Sequence, residues 1–340
     1  MVTADALRAE ARRRLDALAK PPGSLGRLEE LAIELCVAQG TVRPLTNPRL
    51  HLVWCADYAS AAHTSAWPSH VSALVARTLA RGSGVSSVWA RRFHATTRIV
   101  DVGLAHDPHF ASAHPSIETH SYRVVSGVRD MVVEDALTSE EHAACWAAGR
   151  AEAERAAAQG VRVLVPGEIG IGNTASAAAI AALVLQLTPH ELVGRGAGAD
   201  EEQLARKRTA VANMVARARA CHEHVTDQLR SVAGAELVAM AGCMQRAAEL
   251  GLVVILDGAL AAAAALLVTV QTPTARRTWL ASHRGAEPLH QHALQHLHLR
   301  PWLEWDLRLG EGSGALLLLP MLDAAADLMT EVSTLDDALQ

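Results

Sequence analysis

The sequence predicts an α/β protein built on a parallel sheet, and three observations carry that prediction. Short β-branched runs alternate with alanine-rich helical stretches, the pattern of parallel strands covered by helices on their faces. Four of those runs pass straight into Asp, Gly or Pro-Gly, as strands do where they end in ligand-carrying loops. With 340 residues, 50% of them hydrophobic and 20% charged, the chain can bury a sizeable core as one large domain or two unequal ones.

The four strand candidates are His51 to Cys55, Arg98 to Val102, Arg162 to Val165 and Leu252 to Leu256. Ligands of open parallel sheets bind outside the carboxyl ends of strands, so chemistry is expected around Asp57, Asp101, Glu168 and Asp257. Residues 4 to 39 and about 286 to 338 read as helices, with Leu15, Leu25, Leu28, Leu31 and Leu35 marking an apolar face. The two chain ends are expected to pack together as a small helical domain, 1–45 with 286–340, beside a large domain at 46–285. Between Gly103 and Thr138 the chain is irregular, rich in His, Pro and Ser and too long for a simple connector, which suggests a functional loop or lid. The apolar stretches Ala259 to Val270 and the run after Thr174 are too short or too interrupted to span a membrane and read as buried helices.

Charge and composition narrow the partners. A net charge of −5, from 31 Lys+Arg against 36 Asp+Glu with no block of either sign, provides neither a nucleic-acid footprint nor a polybasic membrane anchor. Aromatics are only 3%, too few for stacking platforms on single-stranded nucleic acid. Small molecules or protein are the expected partners. Cys36, Cys55, Cys145, Cys221 and Cys243 are odd in number and scattered, so no disulfide framework or thiolate zinc site is expected. The charged N-terminal MVTADALRAEARRRLD lacks the apolar core of a signal peptide. A cytoplasmic location fits.

Two glycine-rich segments are the candidates for chemistry. Gly167-Glu168-Ile169-Gly170-Ile171-Gly172-Asn173-Thr174 follows a strand and opens an alanine-rich helix. It is either a tight βα turn or a cradle in which free N–H groups at the helix start hold an anion such as phosphate. It matches neither GxGxxG nor a P-loop. Leu309-Gly310-Glu311-Gly312-Ser313-Gly314 places an acid between glycines, with no bulky neighbours to screen it; Glu311 is either a solvated turn acid or a general base tuned by partial burial. The run His290, His292, His296, His298 includes an i, i+4 pair but no Cys or acidic ligand at motif spacing, and His222 with His224 would point to different helix faces. No metal site and no cofactor are expected.

Five segments together make the chain resemble the nicotinate-nucleotide:dimethylbenzimidazole phosphoribosyltransferase family: KPPGSLGRLEELA at Lys20 to Ala32, GEIGIGNT at Gly167 to Thr174, GRGAGADEEQLARK at Gly194 to Lys207, LDGALAAAAALL at Leu256 to Leu267 and LGEGSGALLLLPMLDAAADLM at Leu309 to Met329. The resemblance implies a homodimer with a doubly wound parallel sheet and a smaller helical domain formed from both chain ends. It implies transfer of 5-phosphoribose from nicotinate mononucleotide to an aromatic base such as 5,6-dimethylbenzimidazole, giving alpha-ribazole 5'-phosphate and nicotinate. The family's base maps onto Glu311. Glu168, Gly170 and Asn173 match its nucleotide-binding turn and Lys207 the lysine near the phosphate; with Gly172, Thr174, Gly310 and Gly312 these are the expected donor- and phosphate-binding residues.

The acceptor side departs from the pattern. Asp57-Tyr58-Ala59 stands for Asp-His-Gly, and Trp67-Pro68-Ser69 for Tyr-Pro-Gln, so Asp57, Tyr58, Trp67 and Ser69 are the expected acceptor-binding positions. Beside the dimethylbenzimidazole reading stand the same donor with a purine, phenol or other heterocycle as acceptor, and a non-catalytic nucleotide-binding paralogue that partners an active homologue. Retention of Glu311 counts against the last of these.

Overall fold

The computed structural model describes residues 3–110, 113–196 and 198–339. Six parallel strands form one sheet: β1 Arg49–Ala56, β2 Thr96–Gly103, β3 Ile117–Ser121, β4 Val163–Ile169, β5 Val253–Leu256 and β6 Trp279–Ala281. Their order is β3-β2-β1-β4-β5-β6, the doubly wound arrangement in which the chain moves outward in one direction from β1 and then in the other from β4. All four expected strands are present. β4 continues beyond Val165, so Glu168 lies within the strand, paired in register with Trp54 of β1. The two strands that sequence reading did not identify are edge strands: β6 has only three residues, and β3 lies inside the irregular 103–138 stretch.

Alternation along β1 assigns the two faces. Leu50, Leu52 and Trp54 point into a large apolar cluster with the helices Asn173–Leu185, Ala235–Glu249 and Ala259–Gln271, whereas Val53 and Cys55 face the opposite side. The two apolar stretches singled out in the sequence are therefore core helices. Between the helices Ser139–Ala158 and Ala235–Glu249 the backbones are nearly in contact: a Cβ at Gly149 would lie 1.9 Å from the Ala239 carbonyl oxygen, and one at Gly242 would lie 2.3 Å from that of Trp146.

The other face is covered by both chain ends. Helices Ala4–Ala17, Arg27–Gln39 and Ser313–Thr330 pack over Val163 and Val165 of β4 and Val253 and Ile255 of β5. Leu18 and Thr334 form an antiparallel bridge, and Arg14 donates to the Met329 carbonyl at 2.6 Å. Ser313–Thr330 is long and apolar enough to cross a membrane, but here it is a core helix of this layer, tied to β1 by Arg49 on Asp323 at 2.9 Å. One helix beyond the expected boundary at 286 differs from that reading. Pro288–Leu297 turns Leu289, Ala293 and Leu297, spaced four apart, into the cluster on the opposite face with Ala259–Gln271.

The glycine contact between Ser139–Ala158 and Ala235–Glu249 can be tested. Gly149→Ala places a methyl against backbone that cannot swing aside, so we expect a loss of about 1–3 kcal/mol or more, read as a lower urea midpoint with unchanged slope.

Candidate active site

A cavity of about 360 Å³ opens at the carboxyl ends of β4, β5 and β6, beside the point where the strand order reverses. Glu168, Gly170, Asn173 and Thr174 line it together with Gly310 and Glu311, so tertiary folding joins the two glycine-rich segments in one site. Trp67, 52% exposed, lines the same cavity with Val71 and Val75. A smaller polar pocket of about 50 Å³ adjoins it, walled by Thr64, Ser65, Gly172, Thr174, Arg195 and Lys207.

Glu311 owes its position to its own backbone. It has φ of 60° between Gly310 at 83° and Gly312 at 79°, a run of left-handed residues that turns the chain sharply into the helix Ser313–Thr330. Three groups hold this turn. His51 of β1 donates from Nε2 to the Glu311 carbonyl at 2.6 Å while its Nδ1 lies 3.3 Å from the Thr97 hydroxyl, and burial lowers its pKa to about 4 and keeps it neutral. The Asp257 carboxylate, at the end of β5, accepts from the Gly312 and Ala315 N–H groups at 3.2 and 3.1 Å. Gly167 of β4 lets the turn close down, since a Cβ there would lie 2.5 Å from the Glu311 carbonyl oxygen. The Glu311 carboxylate accepts from the Ser86 hydroxyl at 2.9 Å. Burial raises its pKa and nearby Asp257 adds to the effect, against the lowering influence of Ser86, which suits a carboxylate that must take up a proton.

Two helices begin in this site, and their N-termini are used differently. Asp257 occupies the exposed N–H groups of Ser313–Thr330. The helix Asn173–Leu185 has no side-chain cap, and its first turn faces the small polar pocket. Lys207 reaches that pocket from the helix Glu201–Cys221, only 1% exposed, donating to the Thr174 hydroxyl at 2.7 Å and the Gly194 carbonyl at 3.0 Å. Burial lowers its pKa, with Glu287 acting in the opposite sense. The Asn173 and Ala175 N–H groups turn back to the Gly170 and Gly172 carbonyls, each at 3.1 Å, so it is the dipole of a helix start without a side-chain cap, beside a buried ammonium, that suits a compact anion. Gly172, at φ of 98°, takes a backbone conformation that strains any L side chain, and a Cβ there would also press on Ala61 at 3.1 Å.

Glu168 accepts from the Asn173 amide at 2.5 Å. Burial and the neighbouring carboxylates Glu236, Asp257 and Glu311 push its pKa well above the ordinary value despite that hydrogen bond. Asp57, Tyr58 and Ser69 line neither cavity. Asp57 is 1% exposed at the end of β1, accepting from the Ala105 N–H at 2.9 Å, and Tyr58 is equally buried and donates to Glu236 at 2.6 Å. Ser69 lies in the turn before the helix Val71–Ala80, where its carbonyl accepts from the Ser72 N–H at 3.0 Å; Ser72 in turn accepts at 3.0 Å from Ile171 of the glycine-rich turn.

Sequence reading missed His51, Ser86 and Glu236 as site residues, and it assigned no role to the cavity residues His283 and Glu287, which stand in the segment His283-Arg284-Gly285-Ala286-Glu287 that takes the place of the family's His-x-Ser-x-Glu. His51 had a visible signal, an imidazole inside an otherwise apolar strand. Ser86 had none. The His-rich run separates: His290 is fully buried, accepting from the Gly285 N–H at 2.9 Å, and His296 is exposed.

Comparison with known proteins agrees with this geometry. Residues 2–339 match the family described as Phosphoribosyltransferase, DBI_PRT. The nicotinate-nucleotide–dimethylbenzimidazole phosphoribosyltransferase of Corynebacterium efficiens is 38% identical over 97% of this chain and 88% of its own, and that of Thermus thermophilus is 39% identical over 94% of each. The crystal structure of CobT from Thermus thermophilus superposes with a TM-score of 0.90 at 38% identity, covering 98% of both chains. Likeness over the whole length, in sequence and in fold, makes this chain a member of the nicotinate-nucleotide–dimethylbenzimidazole phosphoribosyltransferase family.

Proposed function

We propose that this chain transfers 5-phosphoribose from nicotinate mononucleotide to a ring nitrogen of 5,6-dimethylbenzimidazole, releasing nicotinate and forming alpha-ribazole 5'-phosphate. The observation that carries the reading is the pairing, in adjoining cavities, of a backbone-held carboxylate, Glu311, with a helix N-terminus that has no side-chain cap and the buried Lys207. The donor phosphate occupies the small polar pocket, against the first turn of Asn173–Leu185 and Lys207. The donor's pyridinium is already cationic, so the C–N bond breaks with its electron pair passing to the ring nitrogen, and the leaving group needs no added proton. The azole nitrogen forms the new bond to C1′, and Glu311 takes the proton from the other ring nitrogen. Aliphatic wall residues Val71, Val75 and Leu260 exclude water from the acceptor side.

A second reading keeps the donor and changes the acceptor. Trp67 favours it: this half-exposed indole forms part of the cavity wall where related sequences are expected to carry Tyr, a larger aromatic surface that alters which rings fit. Mass spectrometry of products from nicotinate mononucleotide with dimethylbenzimidazole, purines and phenols decides between the two. A phosphoribosylated dimethylbenzimidazole formed fastest supports the first reading, and a different dominant product supports the second. The proposal includes a homodimer in the cytoplasm without nucleic-acid or membrane partners, and light scattering of the purified protein checks the dimer.

Glu311→Gln should lower kcat about a hundredfold or more while donor affinity changes little. Because the base works ionised and burial raises its pKa above 4.5, wild-type kcat should fall as pH drops through that raised value, at higher pH than an exposed carboxylate would impose. A pH–rate profile checks this. Lys207→Ala should weaken donor binding about tenfold or more through loss of a charge-assisted contact, and nicotinate riboside, which lacks the phosphate, should be nearly insensitive to the change. Equal losses for both donors in calorimetric titrations would assign the lysine another role.

A further inference from the structure

Tyr58 and Glu236 lie behind the nucleotide-binding turn, lining neither cavity. Tyr58 fills space that Gly234 leaves open, since a Cβ at 234 would lie 1.7 Å from the phenol oxygen. Its hydroxyl donates to Glu236 Oε1 at 2.6 Å, and the two residues are 1% and 0% exposed. Glu236 Oε2 is buried without a hydrogen-bond partner, a costly arrangement for a carboxylate and an acceptable one for a carboxylic acid. On the side toward the site, a Cβ at Gly170 would lie 3.0 Å from both Glu236 Oε1 and the Asn173 amide nitrogen. That amide donates to Glu168, so it stands between the buried carboxyl and the one in the cavity wall.

We infer that Tyr58 and Glu236 are a proton-holding pair that acts through Asn173 on the donor pocket, neutral when the anionic donor is to bind and opposed to it once Glu236 ionises. This rests on the phosphoribosyl-donor reading above. Both are positioning residues. The ionisable groups around Glu236 are Cys55 from β1, Asp57 and Tyr58 just past its end, Glu168 from β4 and Cys145 from the helix Ser139–Ala158, and none of these is a cation. Burial raises the Glu236 pKa to about 8, with Asp57 adding to the rise, while the Tyr58 hydrogen bond favours the ionised form.

The test is donor affinity against pH, with nicotinate mononucleotide titrated calorimetrically at about pH 6.5 and about pH 9.5. The wild-type Kd should rise at least about fivefold between them, as an added negative charge beside the pocket requires. Glu236→Gln cannot ionise and should lose that rise. Tyr58→Phe removes a donor that stabilises the carboxylate, so the midpoint should move to higher pH. In the infrared, the protonated-carboxyl absorption at neutral pH should contain a component that is lost at alkaline pH and is missing from the Glu236→Gln spectrum, distinct from any contribution of Glu168. A full rise that persists in Glu236→Gln would trace to the other titrating groups of the pocket, Glu168 or Lys207, and overturn the inference, as would an unmoved midpoint in Tyr58→Phe. If nicotinate mononucleotide binds at no pH the donor reading fails, and the infrared band still decides whether the pair holds a proton. Should Glu236→Gln not fold by circular dichroism, the Tyr58→Phe midpoint and the wild-type band carry the decision.

Discussion

Backbone contact between the Glu311 turn and the strand ends is the constraint on which the site depends. A residue at φ of 60° between two left-handed glycines is a strained reversal, and it persists only because the surroundings over-determine it. His51 fixes its carbonyl, Asp257 fixes two N–H groups that follow, and Gly167 removes the side chain that would keep β4 away. These three residues sit on or at the end of three neighbouring strands of the sheet, β1, β5 and β4. The carboxylate is therefore placed by the rigid sheet, while the loop that carries it contributes little stiffness of its own.

Charge in the site follows from the same arrangement. Glu168, Glu236, Asp257 and Glu311 all have raised pKa values, burial being the first cause for each. Asp257 is compensated by the backbone amides of a helix start, an internal use of a helix N-terminus. The second N-terminus is left without a side-chain cap and lies beside Lys207. An enzyme acting on an anionic nucleotide with a carboxylate base must keep these two charges apart, and the fold does so by beginning two helices at the carboxyl ends of the strands and capping only one of them with a side chain.

The departures at Tyr58 and Trp67 have different physical meanings. Trp67 lies on the cavity wall, half exposed, where a changed ring changes what can stack or fit. Tyr58 lies in the core, where its phenol fills the gap above Gly234 and donates to a buried carboxyl. Close together in the sequence, the two are separated by burial in the fold.

Local rules were enough to read four of the six strands, the core helices and the two glycine-rich turns. β-branched runs, alanine-rich segments and positive-φ glycines act over a few residues and leave marks within those residues. The short edge strands β3 and β6 left no such mark, because three to five residues at a sheet edge are defined by the neighbour they pair with. The catalytic candidate Glu311 was legible from its flanking glycines. Its supports, Ser86 and His51, come from positions 225 and 260 residues away along the chain, and only packing brings them to the site. The sequence by itself determined the α/β class and the chemistry available. Tertiary structure alone decided which acids would be buried together, which helix start would go without a side-chain cap and which altered aromatic would line the cavity, since burial and distance are properties of the folded chain.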